Sequence, residues 1–526
     1  MPKTRNVEPT LRSVVASPAS GTQTQVLTLT IVFHPDTRRI GESTPFDKPG
    51  KSNTRILGRC VPCFKPLGEG WSATALNDRY VSMEALRLHY SRGEIVITRD
   101  SSACRAQVGG RELNDEVRLS RAQLAAGVPI VLGGRIVVLL RLLSPLRQTA
   151  NRALPDKSML GGSAYMAKLK AQIALLAATD FDVLIRGETG TGKELVAQAL
   201  HAASNRAAAK MVAVNMAAIP ATLAPTLLFG SARGAFTGAD KASAGYFAQA
   251  EGGTLFLDEI GETPAEVQSQ LLRALQQREI QVVGGPIRKI DLRLISATDA
   301  RLEEQSCDFK AALHHRLAQS EIQLLPLRQH PEDIGDLLLT FIDKAVASLG
   351  RPPIFPLAES PPKLIAMWAE LFHQFVTYPW PGNIRELDNF AQQVALVSEL
   401  GPVIPELIQL RMAGHDTADK EAEAPAATSR ALTSEDYSDQ EFLEGYKDAD
   451  YEVVKTARQL GLSRQAVYRR ISEFPGLCLA SELSDDQIRA ALISYGDDLT
   501  ATALRLRVSR VALRERIRSV AIPVAG

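Results

Sequence analysis

The run Gly187-Glu188-Thr189-Gly190-Thr191-Gly192-Lys193 carries the plainest chemistry in this sequence. Glycines at this spacing let backbone N–H groups converge on phosphate oxygens. A lysine directly behind them places a point charge beside the outer phosphates. Further along, Gly253-Thr254-Leu255-Phe256-Leu257-Asp258-Glu259 is an apolar run that ends in two carboxylates. Asp258 is suited to hold Mg2+, directly or through water, and Glu259 to polarise an attacking water as general base. The two stretches together point to ATP as ligand, Mg2+ as its counter-ion, and hydrolysis as the reaction.

These residues need a frame. Val183-Leu184-Ile185 reads as a buried strand, and Glu194 to Leu200 as an amphipathic helix. A strand, the glycine loop and a helix in that order bring the positive end of the helix dipole to the phosphates. Apolar runs alternate with helical patterns across 159–345, which predicts an α/β core with a mainly parallel sheet. Residues 346–411 are helical and broken by prolines, which predicts a small helical lid. Upstream, 26–147 consists of short alternating segments such as Val26–Phe33 and Gly93–Ile97, with turns at Gly109-Gly110 and Gly133-Gly134. That is the pattern of an all-β sandwich. Residues 1–25 read as a flexible tail, 148–158 as a linker, and 412–440 as a flexible acidic linker.

Composition sets the bounds. At 526 residues the chain is multidomain, and 45% hydrophobic with 23% charged residues is ordinary for a soluble protein. A net charge of +1 excludes a polycation, so any contact with nucleic acid must be local. No apolar segment follows the N-terminus and no run approaches membrane-spanning length, so the expected location is cytoplasmic. Five cysteines do not make a disulfide framework, and Cys60-Val61-Pro62-Cys63 lacks the second pair a zinc site would need.

The last part of the chain repeats itself. Ala457 to Ile471 aligns with Ala503 to Ile517, pairing Ser463 with Ser509. Each copy has a helix, a short turn, a Ser N-cap and a second helix with basic residues. This helix-turn-helix layout, expected over 441–479 and 480–526, makes Ser463, Arg464, Arg469 and Arg470, and Ser509, Arg510, Arg514 and Arg516, candidates for contacts to DNA. Both copies resemble the Fis-type helix-turn-helix of bacterial activators. The tandem departs from the usual single copy and leaves open which one reads DNA.

Between the two nucleotide stretches lies Gly234-Ala235-Phe236-Thr237-Gly238-Ala239, small residues around one aromatic and one hydroxyl. By residue type it is a loop tip. As a string it resembles the signature of bacterial enhancer-binding proteins, the AAA+ activators of sigma-54 RNA polymerase. The resemblance covers about 159–410. It implies that this loop touches sigma-54 and moves with hydrolysis. It assigns Asn215 to pair with Glu259, Thr298 to sense the nucleotide (with Asp299 where the family has Asn), and Arg385 to reach it from the lid. It makes Arg316 a finger that acts on a neighbouring subunit's ATP, with Lys310 in place of a first arginine. It also accounts for Glu194, which stands where most such loops have Ser or Thr. A hexameric ring, enhancer DNA and sigma-54 holoenzyme are the implied partners. The residues leave two rivals open: a DNA-binding regulator or repressor with a weakened ATPase, supported by Lys310, and a generic AAA+ remodeller such as a chaperone-type unfoldase with no sigma-54 role, against which the intact Gly234 to Ala239 string counts.

The sandwich resembles a forkhead-associated (FHA) domain through Leu57-Gly58-Arg59, Asn77 to Ser82, and Val108 to Leu113. That resemblance implies a phosphothreonine protein as partner, bound through Arg59 and Ser82, and a gating role. Met83, Ala85 and Cys104-Arg105-Ala106 depart from the family pattern.

Overall fold

A computed structural model describes residues 25–143 and 159–412, except 47–53, 67–71, 92–93, 236–240, 301, 303–308, 357, 399–400 and 407. It also describes 439–519 in part. The expected tail, the 148–158 linker and nearly all of the 412–440 linker therefore lie outside the described residues. The chain divides into two units, Met1–His415 and Asp416–Gly526.

The N-terminal strands are β1 (Val26–Phe33), β2 (Ser43–Pro45), β3 (Thr54–Leu57), β4 (Leu86–Ser91), β5 (Glu94–Thr98), β6 (Ala106–Val108), β7 (Arg111–Glu112), β8 (Glu116–Leu119), β9 (Val128–Leu132) and β10 (Ile136–Leu143). A short helix α1 (Arg121–Ala126) joins β8 to β9, started by Ser120 and Gln123 in a reciprocal capping box. The strands form two sheets, ordered β2-β1-β10-β9-β6-β7 and β3-β4-β5-β8. The expected two-sheet β architecture is present. Leu29, Ile31, Ile130, Leu132, Ile136, Val138 and Leu140 join Leu57, Leu86, Leu88 and Ile97 in one core. The alternate residues of the six-stranded sheet, Val32, Val131, Val137 and Leu139, are equally buried but belong to a different cluster, with helices of the lid; Phe33, past a bulge in β1, joins them. That sheet is thus covered on both faces, which explains why Ile136 to Leu140 is continuously apolar rather than alternating.

The α/β core follows, with α2 (Ala164–Ala177), β11 (Val183–Arg186), α3 (Lys193–Ala202), β12 (Met211–Asn215), α4 (Ala224–Phe229), α5 (Tyr246–Gln249), β13 (Thr254–Asp258), α6 (Ala265–Gln277), the hairpin β14 (Glu279–Gln281) and β15 (Ile287–Lys289), β16 (Arg293–Thr298), α7 (Ala311–Leu317) and β17 (Glu321–Gln323). Its sheet has the order β12-β13-β16-β11-β17. Every neighbouring pair is parallel, as the alternating pattern predicted. Registers of Asn215 with Asp258 and of Arg186 with Thr298 bring the candidate residues to one edge, the carboxyl ends of the strands. Ligands of open α/β sheets bind at that edge.

The lid is α8 (Ile334–Ser348), α9 (Pro362–Thr377) and α10 (Asn383–Val397). Its centre is Trp380, fully buried, whose indole N–H donates to the Phe375 carbonyl at 2.8 Å. The expected boundary at 345 is corrected here. The helix α8 belongs to the lid, because Ile334, Leu338, Ile342 and Val346 share a core with Trp368, Phe390 and Val394. An amphipathic period shows that a helix has an apolar stripe but not which partner covers it. Among the described residues no helix is long and apolar enough to cross a membrane.

In the second unit, α11 (Asp439–Asp448) contributes Phe442 and Tyr446 to a cluster with Tyr451, Val467, Ile471 and Leu477. Further described helices are α12 (Asp485–Tyr495), α13 (Leu499–Leu506) and α14 (Arg510–Ser519). They enclose Leu483, Ile488, Ala503, Val508 and Leu513. The turn between α13 and α14 is tight. Arg507 has a φ of 54°, and the Val508 N–H donates to the Ala503 carbonyl at 3.1 Å. Ser509 caps α14, its hydroxyl accepting from the Ala512 N–H at 3.2 Å.

Candidate active site

Strand β11 ends at Arg186 and the chain turns through Gly187 to Gly192 into α3. Gly190 has a φ of 81°, and a Cβ there would lie 2.3 Å from the Gly382 carbonyl oxygen of the lid. Only glycine permits this approach. Gly192, left-handed at φ 94°, starts α3 without a side-chain cap, so the first N–H groups of the helix are left for a ligand. Lys193 is buried, with its ammonium donating to the Gly187 carbonyl at 3.1 Å and 3.6 Å from the Glu259 carboxylate.

Asp258 ends β13, its carboxylate accepting from the Glu259 N–H at 3.0 Å. Glu259 sits in the left-handed region at φ 51°, an uncommon conformation for a residue with a side chain. Burial pushes its carboxyl above the usual range, opposed by Lys193 and reinforced by the carboxylates of Asp299 and Asp258. Asp299 is held below its usual range: burial would raise it, but the Thr189 hydroxyl, donating at 2.8 Å, and Lys193 outweigh that. Thr298 is fully buried and its hydroxyl accepts from the Ala300 N–H at 3.0 Å. The Asn215 carboxamide accepts from the Ala217 N–H at 2.9 Å. The pairing of Asn215 with Glu259 implied by the family resemblance is not formed in this structure. Glu259 faces Lys193 and Asp299 instead.

Beside the loop lies an apolar cavity of about 200 Å³, lined by Met159, Tyr165, Leu169, Thr191, Val196, Leu325 and Ile384 among others. Its walls suit a flat heteroaromatic base adjoining the phosphate cradle. A wider cleft of mixed polar and apolar lining runs from Thr189 along the lid past Arg385, Gln392 and Arg411. The Arg385 N–H donates to the Gly190 carbonyl at 3.3 Å, which places this residue at the loop from the lid side.

A family model described as the sigma-54 interaction domain matches residues 159–323, and one described as the AAA+ ATPase lid domain matches 328–425. The regulatory protein LuxO of Vibrio cholerae serotype O1 is 44% identical over 45% of this chain and 43% of its own length. The Nif-specific regulatory protein of Klebsiella oxytoca is 37% identical over 62% of this chain and 61% of its own. The DNA-binding transcriptional regulator NtrC of Rhizobium meliloti is 35% identical over 70% of each chain. This chain belongs to the sigma-54-dependent activators. It spans less than two thirds of the length of the first two of these relatives.

The remaining predicted residues lie as follows. Gly234 and Ala235 form the near side of a loop whose Phe236, Thr237, Gly238 and Ala239 lie outside the described residues. Its base is a bridge from Ser231 to Ser243 and to Val283, beside the β14–β15 hairpin. Arg316 lies on α7, its guanidinium donating to the Leu275 carbonyl at 3.0 Å and to Gln319 at 2.7 Å. Lys310 donates to the Ser269 hydroxyl. Within one subunit both cations are therefore engaged on the α6–α7 side. Arg510 and Arg514 are exposed on α14, whereas Arg516 donates to the Leu483 carbonyl at 3.3 Å. Ser463, Arg464 and Arg469 lie outside the described residues, and Arg470 stacks over the Phe442 ring at 5.8 Å. On the sandwich, Arg59 donates to the carbonyls of Val81 at 2.8 Å and Arg79 at 2.7 Å. The Ser82 hydroxyl accepts from the Cys104 N–H at 2.8 Å.

Sequence reasoning missed the residues that tie the loop to the lid. Arg328 grips the Glu188 carboxylate with two hydrogen bonds, at 2.8 and 2.5 Å, and holds it below the usual carboxylate range. The fully buried Asn383 donates to Glu188 at 3.2 Å and to the Thr189 carbonyl at 3.0 Å, and accepts from the Leu327 N–H at 2.9 Å. Glu188 was expected among the ATP contacts, but its side chain serves this junction. Asn383 lies 195 positions from Glu188 in the chain, so this contact is a tertiary fact with no local signal.

Proposed function

We propose that this chain is an ATPase that remodels sigma-54 RNA polymerase at promoters from DNA bound upstream. The observation that carries the reading is the convergence at one sheet edge of Lys193, Asp258, Glu259 and Thr298, next to an apolar cavity and to a glycine loop that the Arg385 backbone bonds from the lid. ATP would place its base in that cavity and its phosphates across Gly190, Gly192 and the start of α3. Mg2+ held at Asp258 would offset phosphate charge. Glu259 orients and deprotonates the water, and Lys193 holds the outer phosphates. Arg316 acts on the ATP of the next subunit in a ring, expected to be hexameric, which requires it to leave the Leu275 carbonyl. The loop from Gly234 to Ala239 carries the output to sigma-54. The tandem C-terminal helices, with Arg510 and Arg514 exposed, supply the contact with enhancer DNA, and the sandwich gates the ATPase.

Sigma-54-dependent transcription in vitro tests this. The wild-type protein should activate with ATP, while Glu259→Gln and Thr237→Ala should each abolish open-complex formation. Activation that survives Thr237→Ala would remove the sigma-54 role. A second reading, a DNA-binding regulator with a weakened ATPase, draws support from Asp299 beside Glu259 and from Lys310 bonded to Ser269. Turnover by the purified protein that is lost in Glu259→Gln would exclude it.

A further inference from the structure

The segment from Leu324 to Asp336 has contacts on two sides. Towards the nucleotide site, Leu325 and His330 line the apolar cavity, Leu327 bonds Asn383, and Arg328 grips Glu188 of the loop. Towards the sandwich, Arg141 at the end of β10 donates to the Glu332 carboxylate at 2.5 Å and to the Gln329 carbonyl at 2.7 Å. The ion pair is nearly dry, with side-chain exposures of 13% and 6%. Packing reinforces it. The Phe33 and Phe372 rings lie 4.9 Å apart, and Gly335 approaches the Val32 carbonyl so closely that a Cβ would stand 2.5 Å from the oxygen. Inside the segment, the Asp333 carboxylate accepts from His330 at 2.9 Å and from the Ser163 N–H at 2.8 Å. Few positions in the segment are left without a tertiary restraint.

We propose that Arg141 of the sandwich is a positioning residue for the nucleotide site, fixing through Glu332 and Gln329 the segment that walls the base cavity and pins Glu188. This rests on the reading that the cavity and glycine loop take ATP. A buried pair that loses one partner leaves an uncompensated charge, so the segment must relax when Arg141 is removed. The cavity wall and the Arg328–Glu188 grip then loosen together. Nucleotide affinity falls, while Asp258 and Glu259, at the end of β13 on the far side of the site from this segment, keep their places.

The test uses full-length protein, a fluorescent ADP analogue for affinity, and steady-state ATP hydrolysis. In Arg141→Ala, both the dissociation constant and KM should rise by about fivefold or more, the size of an ordinary coupling between sites, with kcat nearly unchanged. Glu332→Gln should do the same, and the double variant should cost no more than either single one, because both release the same contact. Arg328→Ala should likewise be non-additive with Arg141→Ala. If Arg141→Ala does not fold, Arg141→Lys, which keeps the charge and loses the fork, provides the same reading at smaller size. Unchanged affinity in folded variants overturns the proposal, as does a change in kcat alone, which would make the contact a brake on assembly. A wild-type protein that binds nucleotide normally but fails to activate a sigma-54 promoter would sink the proposed function and leave this inference standing.

Discussion

Asp299 bears on Glu259, the residue proposed to take a proton. Glu259 serves as base only when ionised, and burial first, then its acidic neighbours, raise its carboxyl above the usual range. Activity governed by this group is full above its folded-state pKa and is lost as the pH falls through it. Asp299→Asn removes a like charge and keeps an oxygen to accept from Thr189. The acid limb of the kcat–pH profile should therefore move to lower pH, with more activity than wild type on that limb. An unmoved limb would show that Asp299 does not tune Glu259. Glu259→Gln should lower kcat by about 10²–10⁴-fold, the range for a general base, while binding of the ADP analogue persists.

At the scale of elements, the contact between the sandwich and α8 makes a sharp stability prediction. Gly335→Ala introduces a methyl 2.5 Å from the Val32 carbonyl and 3.0 Å from Ile40 Cγ2. Neither backbone can yield easily, so the substitution should destabilise by about 1–3 kcal/mol, as overpacking does. Denaturant midpoints followed by Trp fluorescence would show this, and an unchanged midpoint would mean that the two elements separate freely. The same contact marks how far the sequence could be read. The parallel sheet and the glycine loop were legible because strand runs and glycine spacing are local patterns. The unbroken apolar run from Ile136 to Leu140 carries a local strand signal, and it even implies two buried faces. What covers the second face was not, since the residues that do so, such as Leu337 and Phe372, lie far away in the chain. The assignment of α8 to the core failed for the same reason. Glu188 belonged to a recognised motif, yet its partner Arg328 carries no local signal. At the other extreme, the Ser509 cap could be read from residue type and spacing alone.

At the scale of the whole molecule, the proposed function depends on charges that serve only when a partner arrives. With a net charge of +1, the chain cannot bind DNA through its overall field. The exposed Arg510 and Arg514 should each account for about one unit of the slope of log affinity against log salt if each neutralises one phosphate. Alanine at either should weaken duplex binding and flatten that slope. Arg516 differs because it bonds the Leu483 carbonyl, so its loss should lower the melting temperature of the C-terminal unit more than it changes the slope. The proposed ring makes the stricter demand. Arg316 is occupied within its own subunit by Leu275 and Gln319, so it can help hydrolysis only where a neighbour's phosphates compete for its guanidinium. Arg316→Ala should cost about 10³-fold or more in turnover, as arginine fingers do, without weakening nucleotide binding to the isolated subunit. Glu259→Gln should be equally inactive, but through the other side of the junction. Mixed together, the two variants create junctions at which an intact Glu259 meets an intact Arg316. The mixture should therefore hydrolyse ATP faster than either variant alone, peaking near equal proportions. If it stays as inactive as its components, Arg316 acts within its own subunit, and a finger reaching the next subunit's ATP has to be abandoned.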